Sequence, residues 1–515
     1  MTAMRFVVRT MMTLLAGATG TAAVAEWRVA RSAHFVVYSD DSEAGIRDLA
    51  TRLERFDAIV RRLHKLEEVP GQTSNPVTIY VLPSVAAVQK LSGRTDNVAG
   101  FYVPRASGSV AFTPRRGAGD GGDNTLKPQN VLFHEYAHHL LLGNSTIAYP
   151  AWFTEGYAEF VSTTRLDKTS ATIGIAAQHR AYSLLATSGI SIERLFDPRP
   201  HKLTDVERAG IYGRGWLLTH YIIFDQQRMD KFKQYLTLMN AGTPSIEAAT
   251  KAFGDLKQLN RELDRYLAAS RIPALTMHYA NLPAVQATVA PLSPGARALM
   301  DYRMQSERGV NARTAPALYA RAAKDAAPFA TDPVAQAWLA EMAYDARQDD
   351  EAEAAADRAL AADPRSTQAL IYKAMIRLRR AAVARSTDPK VWAEARSWVV
   401  KANRLDPDNA EALALFYRSF MMQRRPPTES ATRGLERAFE LMPQDRQLRL
   451  ALVRQKLAEK NLSAAKAMLR PLAYDPHTAP DSPAVRLLAR LDAAVDPAAV
   501  QTALGEGEGG AEEQQ

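Results

Sequence analysis

The chain has 515 residues, too many for a single core, and points to two or three domains. Its 47% apolar and 23% charged residues are those of a globular protein and exclude disorder over most of the length. The net charge of +8 is small for this size and comes without a Lys/Arg cluster interleaved with aromatics, so nucleic acid is not an expected partner; the lack of cysteine excludes disulfides, a thiol nucleophile and a thiolate-bound metal.

Residues 1–25 read as a cleavable signal. Arg5 and Arg9 precede an apolar run from Met11 to Ala23, which is shorter than the ~20 residues of a spanning helix. Ala23-Val24-Ala25 supplies the small residues before a cut, so the mature chain is expected to begin at Glu26 and to be exported. A bacterial periplasm suits an exported protein without thiols. No second apolar run approaches membrane length, so no stable membrane span is expected.

His34-Phe35-Val36-Val37-Tyr38 predicts a strand, stopped by Ser39-Asp40-Asp41-Ser42. That polar cluster caps a helix running to about Leu66, with Ile46, Leu53, Phe56, Ile59 and Leu63 on one face. Val77 to Leu82 predicts another strand, and Gly100–Val103 with Ser109–Thr113 a hairpin around Pro104-Arg105-Ala106-Ser107-Gly108. Glycine-rich 115–124 predicts a flexible loop, and Pro128 opens a helix. Residues 190–270 read as helical, including Ile211 to Phe224 and Leu256 to Leu267, whereas Pro273 to Pro294 lacks a clear period, and 273–314 is expected to be a linker.

Farther on, Asp332-Pro333, Asp363-Pro364, Asp406-Pro407, Met442-Pro443 and Asp475-Pro476 recur at intervals of about 34 residues, each after an apolar helix. Residues 315–492 thus resemble tetratricopeptide helix pairs, which implies an all-α solenoid whose groove recruits a protein partner or substrate. The other reading is a helical extension that covers an apolar face of the preceding domain. Residues 493–515, ending in Gly, Glu and Gln, are expected to be a disordered tail.

The helix opened by Pro128 reads Val131-Leu132-Phe133-His134-Glu135-Tyr136-Ala137-His138-His139-Leu140. On a helix His134 and His138 share a face, so both imidazoles can reach one zinc ion, with Glu135 beside them to take a proton from water. Apolar flanks bury this helix on most sides, where such residues are costly unless paired or metal-bound. His139 is expected to face away from the pair, either at the surface or supporting a ligand. Downstream, Trp152-Phe153-Thr154-Glu155-Gly156-Tyr157-Ala158-Glu159 starts a second apolar helix with two glutamates four apart. Leu141 and Asn144 stand where a metzincin needs Gly and His, which excludes that class.

These two stretches resemble the gluzincins, the peptidase MA-like superfamily of thermolysin-type enzymes and aminopeptidases. The resemblance implies an α+β zincin-type catalytic domain over 26–272 that hydrolyses peptide bonds with zinc. It implies His134, His138 and Glu155 as ligands, Glu135 as general base, and Glu159 as the carboxylate that orients a ligand histidine through its other ring nitrogen. For the oxyanion it implies Tyr212, or else His220 on the same helix, against the alternative that Tyr212 and Trp216 only pack on the metal helix. The Gly-x-Met-Glu-Asn segment with which the aminopeptidases bind a free amine is absent, so an endopeptidase is expected, its extended peptide or protein substrate lying along the 100–113 hairpin. Since every one of these residues precedes 273, the first 272 residues are expected to bind zinc alone. The rival reading is a non-catalytic periplasmic scaffold that works through its repeats, with a structural or vestigial metal site.

Overall fold

β-Branched and aromatic runs build most strands of the first half, β2 (Phe35–Ser39), β3 (Val77–Leu82), β4 (Phe101–Val103) and β5 (Val110–Pro114), to which the short β1 (Arg28–Arg31) adds. The computed structural model describes residues 26–93, 98–116, 127–143, 147–198, 202–474, 478 and 481–493. The expected signal, most of the glycine-rich loop, the Asp475-Pro476 step and all of the expected tail after residue 493 lie outside the described residues. The strands run in the order β4-β5-β3-β2-β1, with β2, β3 and β5 parallel and β4 and β1 antiparallel to their neighbours. Helix α1 (Glu43–His64) starts at Ser42, whose hydroxyl accepts from the Gly45 amide, and α2 (Val85–Ser92) starts at Ser84 in the same manner.

Successive side chains of a strand point to opposite faces. Phe35, Val37, Ile79, Val81 and Ala111 face a core shared with α1, α3 (Pro128–Gly143) and α4 (Ala151–Ser162). That core extends through β6 (Arg165–Leu166), β7 (Ser170–Ile173), α5 (Ala181–Leu185), α6 (Ile192–Phe196), α7 (Asp205–Ile223), α8 (Gln226–Asn240), α9 (Ser245–Phe253) and α10 (Leu256–Leu267). Val29, Val36, Tyr80, Leu82, Val110 and Phe112 face a second core on the other side of the sheet.

The segment expected as a linker is structured. β8 (Leu275–His278) adds to β7 in a three-stranded sheet of order β6-β7-β8. β9 (Thr288–Pro291) pairs antiparallel with β1, Arg28 opposite Pro291, and becomes the sixth strand of the main sheet. Three of its four side chains are exposed, so no apolar alternation marks it in the sequence; main-chain pairing along β1 holds it. α11 (Pro294–Arg308) follows and lays Leu299, Met300 and Met304 into the second core.

Among the described residues ten helices come next: α12 (Ala315–Ala326), α13 (Pro333–Asp345), α14 (Asp349–Ala362), α15 (Thr367–Val383), α16 (Pro389–Leu405), α17 (Ala410–Met422), α18 (Glu429–Leu441), α19 (Arg446–Ala458), α20 (Leu462–Ala473) and α21 (Pro483–Ala493). Each packs on the next, and α11, α13, α15 and α17 also pack in succession, the nearest-neighbour stacking of a helical-repeat array. Asp332, Asn409 and Asp445 cap α13, α17 and α19, and fully buried Ala352, Ala355, Ala356 and Ala359 let α14 approach its neighbours closely. The array begins inside the second core: Trp338, Leu339 and Met342 of α13 lie against the sheet, with Trp338 edge-on to Tyr38 at 6.3 Å. The described chain is thus mostly helical, with its main sheet between two helical layers.

Candidate metal centre

Helix α3 is fixed by Val131, Leu132, Phe133, Tyr136, Ala137 and Leu140, all buried, with the Phe133 ring stacked on Phe56 at 3.8 Å. Its remaining side carries His134, Glu135 and His138, each half-buried. Helix α4 is buried from Trp152 to Ser162 and crosses α7 at two glycines. A Cβ on Gly156 would stand 2.2 Å from the Gly215 carbonyl oxygen, and one on Gly215 would stand 2.5 Å from that of Trp152. Only glycine permits this backbone approach of α4 to α7, while the packing of α4 on α3 brings Glu155 to the histidine pair.

The Nε2 atoms of His134 and His138 lie 3.1 Å apart, and Glu155 Oε2 lies 3.3 Å from the first and 3.6 Å from the second. Ligand atoms about 2.0–2.1 Å from one tetrahedral zinc stand about 3.3–3.4 Å from each other, so the three atoms fit such an ion. Among the described residues this group numbers three. Burial alone would lower His134, but hydrogen bonds to Glu155 and Glu159 push it up to about 10, so wherever no cation takes that place each ring nitrogen keeps a proton facing one carboxylate.

Glu159 lies one turn beyond Glu155, with Oε1 3.3 Å from His134 Nδ1. His179 Nε2 sits 2.7 Å from its other oxygen, and Arg180 donates to Oε1. Burial pushes the Glu159 carboxyl up, yet Arg180 and the two histidines outweigh it and hold the group well below the usual range. Both partners come from the turn Gln178–Arg180 before α5. Sequence reading missed them, because no fixed spacing links that turn to α4.

Tyr212 stands two turns inside α7, whose first residue is Asp205 behind the Thr204/Glu207 capping box. Its ring lies 6.0 Å from that of His134, with the Arg180 guanidinium 4.7 Å from its centroid. The charge of Glu155 and then burial raise its hydroxyl, which stays a proton donor. His220 is not brought to this place. It is fully buried, with Nδ1 2.8 Å from the Tyr266 hydroxyl and Nε2 3.0 Å from the Gly174 carbonyl oxygen. Eight helical residues turn by about 80° beyond two full turns and rise about 12 Å, which takes His220 off the face that Tyr212 occupies. His139 does face away from the pair; it is buried, and burial lowers it to about 3. It stacks on Tyr136 at 5.3 Å and meets the Tyr102 hydroxyl at 2.7 Å.

His134, Glu135, Glu159, Arg180 and Tyr212 line a cleft of about 960 Å³, whose opposite wall is Gly100–Val103. β4 is the edge strand of the sheet, and Arg308 of α11 closes one end of the cleft.

No protein-family model and no curated protein matches the chain. Among solved structures it is similar to a thermophilic TPR protein of Thermus thermophilus, at 20% identity over 39% of this chain and 96% of that one, with a TM-score of 0.28.

Proposed function

We propose that this chain is an exported zinc peptidase that cuts internal bonds of an extended peptide or protein. The observation that supports it is the convergence of His134, His138 and Glu155, with ligand atoms all within 4.8 Å of one another, at a cleft that also holds Glu135. His134 Nε2, His138 Nε2 and Glu155 Oε2 would hold zinc, which when bound supplies Lewis acidity toward the reacting carbonyl and water. Glu135 takes the proton of the attacking water and passes it to the leaving amine. Glu159 fixes the His134 ring through Nδ1, and the Tyr212 hydroxyl donates to the oxygen on which negative charge develops. The open side of β4 offers main-chain groups to an extended substrate. A metal held only for structure calls for a fourth protein ligand, so a group of three among the described residues supports the enzyme reading.

Metal analysis of the purified chain tests the proposal: about one zinc per molecule is expected, lost in His138→Ala. Glu135→Gln should retain zinc and lose hydrolysis of β-casein. A folded protein that resists zinc loading, or a Glu135→Gln variant as active as the parent, refutes it.

A further inference from the structure

β4 has only three residues and is paired on one side, which by itself makes a weak wall for a cleft. The tip of its hairpin is anchored in the repeats. Ala106 is buried among Ala410, Ala414, Leu435 and Leu448, and its amide donates to Asp445 Oδ2 at 2.5 Å. Arg105 donates to Glu307 of α11 at 2.8 Å. Lower on the hairpin, Tyr102 and Gln444 meet at one atom: the Tyr102 hydroxyl is 2.7 Å and Gln444 Nε2 3.3 Å from His139 Nδ1. His139 adjoins His138, so the junction between α18 and α19 touches both walls of the cleft: β4 through Tyr102, the hairpin loop beyond it through Ala106, and α3 through His139. Gln444 is 6% exposed and Asp445 equally so, and nothing about capping α19 requires a buried glutamine at that point.

We propose that Gln444 and Asp445 are positioning residues: the repeat array is a clamp that sets the spacing between the edge strand and the metal helix, and so the way an extended chain lies across His134 and Glu135. The groove segment from α17 to α19 is filled by this chain's own hairpin instead of by a recruited substrate. The consequence for substrate rests on the peptidase reading, whereas the clamp is tested without any substrate. A separate attachment keeps the halves docked when the clamp is cut: Asn75 Nδ2 donates to the Asp408 carbonyl at 2.8 Å, and the Ala410 amide donates to Asn75 Oδ1 at 3.2 Å.

The test uses the full zinc-loaded chain with Gln444→Leu, which keeps volume and drops the donor, and Asp445→Ser, which keeps the α19 cap and cannot span to Ala106. Hydrogen exchange of residues 98–110 is expected to quicken about tenfold in the double variant, the effect of losing a pair of buried hydrogen bonds, with β1 and β2 unchanged and zinc content at the parental value. Against β-casein, KM should rise while kcat holds. Unchanged exchange over 98–110, or equal acceleration along the whole chain, overturns the clamp. If exchange quickens locally but neither protein cuts casein, the clamp stands and the peptidase proposal falls.

Discussion

Consider a chain ended after Ile272, which keeps His134, Glu135, His138, Glu155 and Tyr212 and loses β8, β9 and all later helices. The second face of its sheet would then carry Val29, Val36, Tyr80, Leu82, Val110 and Phe112 without α11 and α13 above them. Full burial of such side chains is worth about 1.5–3 kcal/mol each. If α2 keeps half of the cover, the loss is on the order of 5–9 kcal/mol, before the missing ladder along β1 is counted. Domains are stable by only about 5–15 kcal/mol, so the shared core replaces the expectation drawn from ligand positions alone: the shortened chain is expected not to fold and not to hold zinc. Urea titration followed by circular dichroism, with zinc analysis of the same samples, decides this. A soluble 26–272 fragment with a cooperative transition and one zinc would show that the two halves are independent and that the shared core is dispensable.

Arg180→Ala removes a support of Glu159 and should weaken zinc binding about 10–100-fold in competition with a chelator; an unchanged affinity would detach Glu159 from the metal. Gly156→Ala forces a methyl group against the Gly215 backbone and should cost about 1–3 kcal/mol, read as a lower melting temperature, and an unaltered melt refutes the tight crossing. His34 pairs with Glu54 at 2.8 Å and faces Asp57, Glu68 and Arg61; burial opposes its protonation, but Glu54 and Asp57 prevail and raise it above 6.5. Its contribution is therefore whole below pH 6.5 and fades as pH rises through the higher folded value, so His34→Gln should flatten the loss of stability on the alkaline side, and an identical pH slope in the variant refutes the pairing.

The candidate ligand group was legible because its parts are local. His134 and His138 are one turn apart, as are Glu155 and Glu159, so helix geometry alone aligns each pair. The strands Phe35–Ser39 and Val77–Leu82 were legible because central strands are apolar on both faces. β9 was hidden for the opposite reason: an edge strand held by main-chain bonds needs no apolar code. Arg180, His179 and Gln444 were hidden because their partners are brought together by the fold at no fixed spacing. Tyr212 and His220 look equivalent by helix membership, and only the angle between them separates a group facing the cleft from one in the core.

Because Arg28–Arg31 finds its outer neighbour only at Thr288–Pro291, the main sheet cannot be completed early in chain emergence. All three candidate ligands and Glu135 emerge well before that partner, and the residues that brace β4 emerge later still, at Gln444 and Asp445. Contacts of such long sequence separation form late in folding. The wall that β4 gives to the cleft is therefore braced last, after the repeats have reached the hairpin.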